Sequence, residues 1–117
     1  MRSGSDLIAD AKTRITEVSA ASAKGTHAAG GHVFLDVREP NEWNLGRIPG
    51  AVFIPRGTLE TKVEAMIPRD AKVVIYYAGG NRSALAAVTM QEMGYASVVS
   101  MAGGWRDWVG VDGPVEG

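Results

Sequence analysis

The sequence predicts an α/β fold in three layers, with a parallel sheet between helices on both faces. Two patterns carry that expectation. Four short runs, "HVFLDV", "AVFIP", "KVVIYY" and "ASVVSM", are largely apolar rather than alternating, as strands buried on both faces are. Segments of helical character separate them, so each strand is reached by a crossover and lies parallel to its neighbours. At 117 residues the chain has room for one core and not for two.

From the N-terminus, "SDLIADAKTRITEV" spaces Leu7, Ile8, Ala11, Ile15 and Val18 as one amphipathic helix, with Ser5 as its cap. "SAASAKGTHAAGG" is alanine-rich and predicts a weaker second helix closing at Gly30 and Gly31. "HVFLDV" is a strand ending near Asp36. "EPNEWNLGRIPG" opens on the helix-starting Pro40 and closes in turn residues. "AVFIP" is the second strand, and "TLETKVEAMI" a helix with Leu59, Val63 and Met66 on its inner side. "KVVIYY" is the third strand, and "RSALAAVTMQEMG" the longest helix, closed by Gly94. "ASVVSM" is the fourth strand, and "GGWRDWVG" a last short helix before a polar tail. Tyr76 and Tyr77 alternate along one strand and so face opposite sides of the sheet. Asp36 and Tyr77 both end strands, where parallel sheets bind ligands, and could share one mouth.

Composition narrows the function classes. A net charge of -1 and a pI near 6.1 give no electrostatic footprint for nucleic acid or an anionic membrane. No apolar run approaches the ~20 residues a membrane helix needs. Charges interrupt the N-terminal apolar positions, so the segment is not a secretory signal as it stands, and a cytoplasmic protein is expected. The absence of cysteine removes disulfides, thiolate metal sites and thiol nucleophiles together. His27 and His32, apart from any carboxylate cluster, do not suggest a metal, and no cofactor is implied.

The chemistry concentrates in "YYAGGNRSALAA", where a buried strand runs into a glycine turn and a helix. Gly79 and Gly80 let the backbone of Ala78 to Asn81 aim N–H groups inward as a nest. The helix that follows adds unsatisfied N–H groups and its positive dipole end. Arg82 offers a planar fork to an oxyanion, or to a carboxylate that braces the loop, and Ser83 can cap the helix. No Gly-Lys-Ser/Thr follows the glycines, so this is not a nucleotide-binding Walker loop. These residues alone leave an anion cup and a plain strand-to-helix turn equally open.

Three blocks, in order and at matching spacing from about Val33 to Val109, resemble the rhodanese family of sulfurtransferase domains. They are Asp36-Val37-Arg38 with Glu42, then Gly46-x-Ile48-Pro49-Gly50-Ala51, then Gly80-x-Arg82-Ser83 with Gly94-Tyr95 and Gly103-Gly104. The resemblance implies a parallel sheet of about five strands. The domain is expected to span 31–110, with a helical segment at 1–30 that is part of it or appended to it, and a tail at 111–117. It also implies a catalytic loop of cysteine, four residues and arginine, in which a cysteine persulfide carries sulfane sulfur from a donor such as thiosulfate to a thiophilic acceptor. The cup suits that chemistry, because inward N–H groups lower a thiol's pKa from ~8.5 to between ~3.5 and ~7.5. Four residues separate Tyr77 from Arg82, the sulfurtransferase length rather than the five of related phosphatase and arsenate-reductase loops.

Tyr77 stands where the family's nucleophile stands. A phenol of pKa ~10 forms no persulfide, and its oxygen lies a ring's length from the backbone. The ring is expected to fill the mouth of the cup or to swing over it. The expectation is therefore a rhodanese-like domain inactive in sulfur transfer, whose cup serves a small sulfur-containing anion or an acidic group of a protein partner. The alternative is an altered form of an active thiosulfate sulfurtransferase, favoured by the survival of the loop. A third reading makes the N-terminal helix the docking surface of an interaction module. Arg47 replaces a histidine usual in the family, a change of surface charge.

Around the cup, Asp36 and Arg38 are its candidate supports. The plainer role for Asp36 is a strand-end carboxylate accepting backbone N–H bonds. Arg38 and Glu42, four apart, are expected to pair. Arg56 could add positive potential at the mouth or simply face solvent. Trp105 and Trp108 read as packing residues, and Trp43 as a flank of the mouth.

Overall fold

The computed structural model describes residues 2–117. The chain runs α1 (Gly4–Arg14), β1 (Thr16–Val18), α2 (Ala20–Ala29), β2 (Val33–Asp36), α3 (Pro40–Leu45), β3 (Val52–Phe53), α4 (Leu59–Met66), β4 (Lys72–Tyr76), α5 (Asn81–Glu92), β5 (Ser97–Met101) and α6 (Gly104–Gly110). A 3-10 turn at Arg56–Thr58 leads into α4. The five strands form one parallel sheet in the order β1-β5-β4-β2-β3, as expected for the three-layer class.

Strand alternation divides the core. Leu35 of β2 and Val73 and Ile75 of β4 meet Leu59 and Val63 of α4 and Ala86, Ala87 and Met90 of α5. On the opposite face Phe34, Val74 and Tyr76 meet Ala20 and Ala23 of α2 and Trp108 of α6. Tyr77 packs against the first of these clusters and Tyr76 belongs to the second, so the two tyrosines face opposite sides as the pattern predicts. Trp108 is fully buried in the second cluster, and Trp105 packs against it.

Three local expectations are corrected. The first helix stops at Arg14, and Thr16–Val18 is instead a strand pairing with Val99 to Met101 of β5. Ile15, Thr16 and Val18 are β-branched, and the free edge of β5 supplies ladder partners that helical spacing cannot reveal. The cap of α1 is Ser3 rather than Ser5: its hydroxyl accepts from Asp6 N while the Asp6 carboxylate accepts from Ser3 N. In α4 the inner residues are Leu59 and Val63 with Ile67 just beyond the helix, whereas Met66 is 48% exposed.

The last residues are strapped to the body. Arg47 and Glu116 exchange backbone hydrogen bonds of 2.9 Å, Gly50 N donates to Glu116 Oε1, and Trp108 Nε1 donates to Pro114 O at 2.8 Å. Gly113 lies so close on the Trp108 indole that no Cβ would fit there. No helix among the described residues is long and apolar enough to cross a membrane.

Candidate functional site

The cup stands at the carboxyl end of β4, the central strand. Tyr77 leaves the strand, Ala78 to Gly80 turn, and α5 begins at Asn81 with Gly80 as its N-cap. Helix α6 grips this turn from the side: Trp105 N donates to Tyr77 O at 2.7 Å and Arg106 N donates to Ala78 O at 3.2 Å. In a trans peptide the N–H points opposite to the C=O, so these bonds turn the Ala78 and Gly79 N–H groups away from α6. The N–H groups of Ala78, Gly79 and Gly80 donate to no protein acceptor among the described residues. With the first amides of α5 they form a cluster of unspent donors at a helix start.

The glycine turn serves close approach rather than a left-handed backbone. Neither Gly79 nor Gly80 adopts a positive φ. Gly80 is bare because a Cβ would meet Gly103 N at 3.0 Å, whereas a Cβ on Gly79 would meet nothing within 4 Å. Gly104, at φ +55°, makes the closest backbone approach: a Cβ there would overlap Tyr77 O and come within 2.6 Å of Gly79 O. The loop and α6 thus approach backbone to backbone, which the Gly103-Gly104 pair makes possible.

An open cavity of about 550 Å³ lies over the turn, lined by Tyr77, the residues from Ala78 to Arg82, Gly103, Arg106 of α6 and Ile8 of α1. The Tyr77 ring is half-buried in its wall, packed partly on the core, with the Arg82 guanidinium 5.3 Å from the ring centroid. Neither Arg82 nor Arg106 has a carboxylate within ion-pair distance among the described residues. Arg82 therefore does not brace the loop through a carboxylate.

Ser83 is not a cap. Its hydroxyl points inward, donating to Gly80 O at 3.2 Å and accepting from Ser100 Oγ at 2.8 Å, and it ties α5 to β5.

Asp36 and Arg38 do not reach the cup. Asp36 is opposite Tyr76 in the β2–β4 register and so shares the face of Tyr76, not of Tyr77. Both are buried, with Arg38 Nε and Nη2 donating to Asp36 Oδ2 at 3.0 and 2.8 Å. Arg38 N donates to Asp36 Oδ1, so the backbone-accepting role of the carboxylate is present as well. Arg38 Nη2 continues to Gly46 O at 2.7 Å, and its guanidinium lies 4.5 Å from the Trp105 ring centroid. The pair braces the loop after α3. Beside it the Tyr76 hydroxyl accepts from Ile48 N; burial, and then the Asp36 charge, push its pKa well above the usual phenol value.

The other expectations resolve simply. Glu42 accepts from Glu39 N and does not pair with Arg38. Arg56 pairs with Glu60 and Thr89, away from the cavity. Trp43 stacks on Phe53 at 4.7 Å, and Arg47 lies over Trp43 while donating to its carbonyl. Arg106 and Ile8 are the lining residues that sequence reasoning missed. A signal existed for Arg106, since "GGWRDW" follows the strand next to β4 and must open a helix beside the cup.

A parallel α/β domain with a turn of unspent N–H donors at the end of its central strand is what the geometry defines. The chain belongs to the rhodanese-like domain family, whose model matches residues 17–110. YrkF of Bacillus subtilis, which carries a sulfur-carrier name, is 40% identical over 76 residues, covering 65% of this chain and 40% of YrkF. The chain therefore spans about two fifths of that relative. A sulfurtransferase of Allochromatium vinosum is 34% identical, with 65% of this chain and 70% of the relative covered. Among solved structures, a Rhodopseudomonas palustris protein of unknown function, described as a possible tyrosine phosphatase, superposes with a TM-score of 0.90 at 36% identity, covering 99% of this chain and 96% of that one. The rhodanese-like domain of Alr3790 from Anabaena gives a TM-score of 0.81 at 25% identity, with coverage of 86% and 78%.

Proposed function

We propose that this chain is a rhodanese-like domain that binds a small oxyanion, or an acidic group of a partner, in its cup and does not transfer sulfur. One observation carries the reading. The residue at the nucleophile's place is Tyr77, in a chain without cysteine, while the loop behind it keeps its unspent N–H groups and Arg82. A phenol cannot accept a sulfane sulfur, since no persulfide can form on oxygen, and the thiolate mechanism needs a low-pKa thiol. The same replacement removes the thiol that any cysteine-based group transfer on this loop would use.

The test is thiosulfate-to-cyanide sulfur transfer by this chain and by Tyr77→Cys. The unmodified chain is expected to match the protein-free rate, and Tyr77→Cys to exceed it clearly. In that variant the thiosulfate sulfur–sulfur bond breaks, sulfite leaves, and the persulfide passes its outer sulfur to cyanide. Turnover by the unmodified chain would overturn the reading. Anion binding is checked by titrating sulfate or thiosulfate and following the amide signals of residues 78–83. Signals that stay in place would remove the binding half of the proposal.

The chain's likeness to a sulfurtransferase and to YrkF supports a second reading, that the domain is a cysteine-less form of an active thiosulfate sulfurtransferase. The intact loop favours it. Restored turnover in Tyr77→Cys at the level of an active relative is its expected signature.

A further inference from the structure

The cavity has a second half that a bare inorganic ion would not use. Helix α1 lies before residue 17, outside the family match, and is seated on α5 through Ala11, which packs with Ala84 and Val88. That seating brings Ile8 into the cavity wall. On the same cavity α6 presents Arg106, exposed and without an ion-pair partner among the described residues. The adjacent Asp107 holds its carboxylate over the bare Cα of Gly103, not on either arginine. Two free guanidinium groups and no carboxylate thus share a wall with Ile8, the Tyr77 ring and Ala78. A volume of about 550 Å³ falls in the range of sites for small organic molecules, ~300–1,000 Å³.

We propose that the cup binds an organic oxyanion: a phosphate or sulfate head held by Arg82 and Arg106, on an apolar stem that lies against Ile8 and Tyr77. This rests on the anion-binding half of the function proposed above and adds the ligand class and two residues. A guanidinium from each of two helices matches a tetrahedral head with several acceptor oxygens. The half-buried phenol ring occupies space at the cup, which leaves the head nearer the arginines and sets the stem beside α1.

The test compares inorganic phosphate, sulfate, phenyl phosphate and phenyl sulfate, titrated against the full chain with amide signals as readout. The phenyl esters are expected to bind about tenfold tighter than the matching inorganic ions. At ~1.4 kcal/mol per decade that corresponds to ~55 Å² of stem removed from water. Which ester gains more identifies the head. Ile8→Ser is expected to bring the ester-to-ion ratio close to one, and Arg106→Gln to weaken the preferred ester about fivefold or more. Both side chains are at least partly exposed, so both variants are expected to fold. Equal binding of ester and ion, or an undiminished ratio in Ile8→Ser, overturns this proposal and leaves anion binding standing. Full affinity in Arg106→Gln overturns the two-arginine clamp. No shift in residues 77–82 with any of the four removes both readings.

Discussion

At Tyr77 the exchange of a thiol for a phenol alters reach as well as reactivity, and its neighbour Tyr76 shows how much one step along a strand decides. Tyr77 joins the cup, while Tyr76, on the other face, joins the buried Asp36–Arg38 pair. The sequence made the alternation of the tyrosines legible but not the register that assigns Asp36 to the face of Tyr76, because register depends on pairing between distant strands. Arg38→Met is expected to destabilise the fold by ~3–5 kcal/mol in urea unfolding, since it strands a buried carboxylate, whereas Asp36→Leu with Arg38→Met should recover part of that loss. A loss below ~1 kcal/mol in the single variant would show that water reaches the pair. The phenol of Tyr76 gives a second, pH-linked prediction. Its folded pKa is raised above the unfolded value of 10.0, so the unfolded chain releases this proton first as pH rises. Its stabilising contribution is intact below pH ~10 and falls above it, by up to ~1.4 kcal/mol per pH unit. Tyr76→Phe is expected to flatten that alkaline decline, with Tyr95, whose pKa is also raised by burial, supplying the remainder. An unchanged slope in Tyr76→Phe would show that the hydroxyl is not protected in the folded state.

Among the elements, the joint between the β4–α5 turn and the start of α6 sets the shape of the cup. Helix-starting N–H groups of α6 bind the carbonyls of Tyr77 and Ala78, and bare glycines let the two backbones meet. Gly103 and Gly104 both adopt a positive φ, and Gly104 is the one held against the turn's backbone. Gly104→Ala is expected to cost ~2–4 kcal/mol, from the positive φ together with overlap against Tyr77 O and Gly79 O. Gly79→Ala, with open space around it, is expected to stay within ~0.5 kcal/mol of the parent. Comparable losses in the two variants, measured by urea unfolding, would mean that loop flexibility and not the joint is what the glycines supply. The elements themselves were largely legible: continuous apolar runs located β2 to β5, and helical spacing with caps located α2 to α6. Strand β1 was not, because three residues beside a good helical pattern carry too little signal, and only the open edge of β5 makes them a strand. The cup loop was legible as chemistry, but its partners Arg106 and Ile8 come from helices whose docking is a tertiary outcome.

On the scale of the whole molecule, the cup loop leaves the central strand of the sheet, and the N-terminal helix and the last residues lie on separate neighbours. The N-terminal helix lies on α5 and contributes to the cup wall, while the last residues cross to the loop after α3 and to α6. The C-terminal strap closes the face opposite α5: Pro114 O accepts a hydrogen bond from the indole N–H of the fully buried Trp108, and Glu116 bonds to Arg47 and Gly50. Since Trp108 belongs to the same cluster as Tyr76 and Phe34, uncovering its indole exposes the core to which the Asp36–Arg38 brace is anchored. Removing residues 113–117 is expected to cost ~1–3 kcal/mol in urea unfolding: ~1 for the lost indole hydrogen bond and the rest for apolar area re-exposed around Trp108. Because the strap does not line the cup, the truncated chain should retain anion-induced shifts in residues 78–83 under conditions where it stays folded. Loss of those shifts in a folded, truncated chain would mean that the strap transmits order across the sheet, through Trp108 and α6 to the carbonyls of Tyr77 and Ala78. Retention with the expected loss of stability would assign the strap to the core alone, and the shape of the cup to α6 and α1.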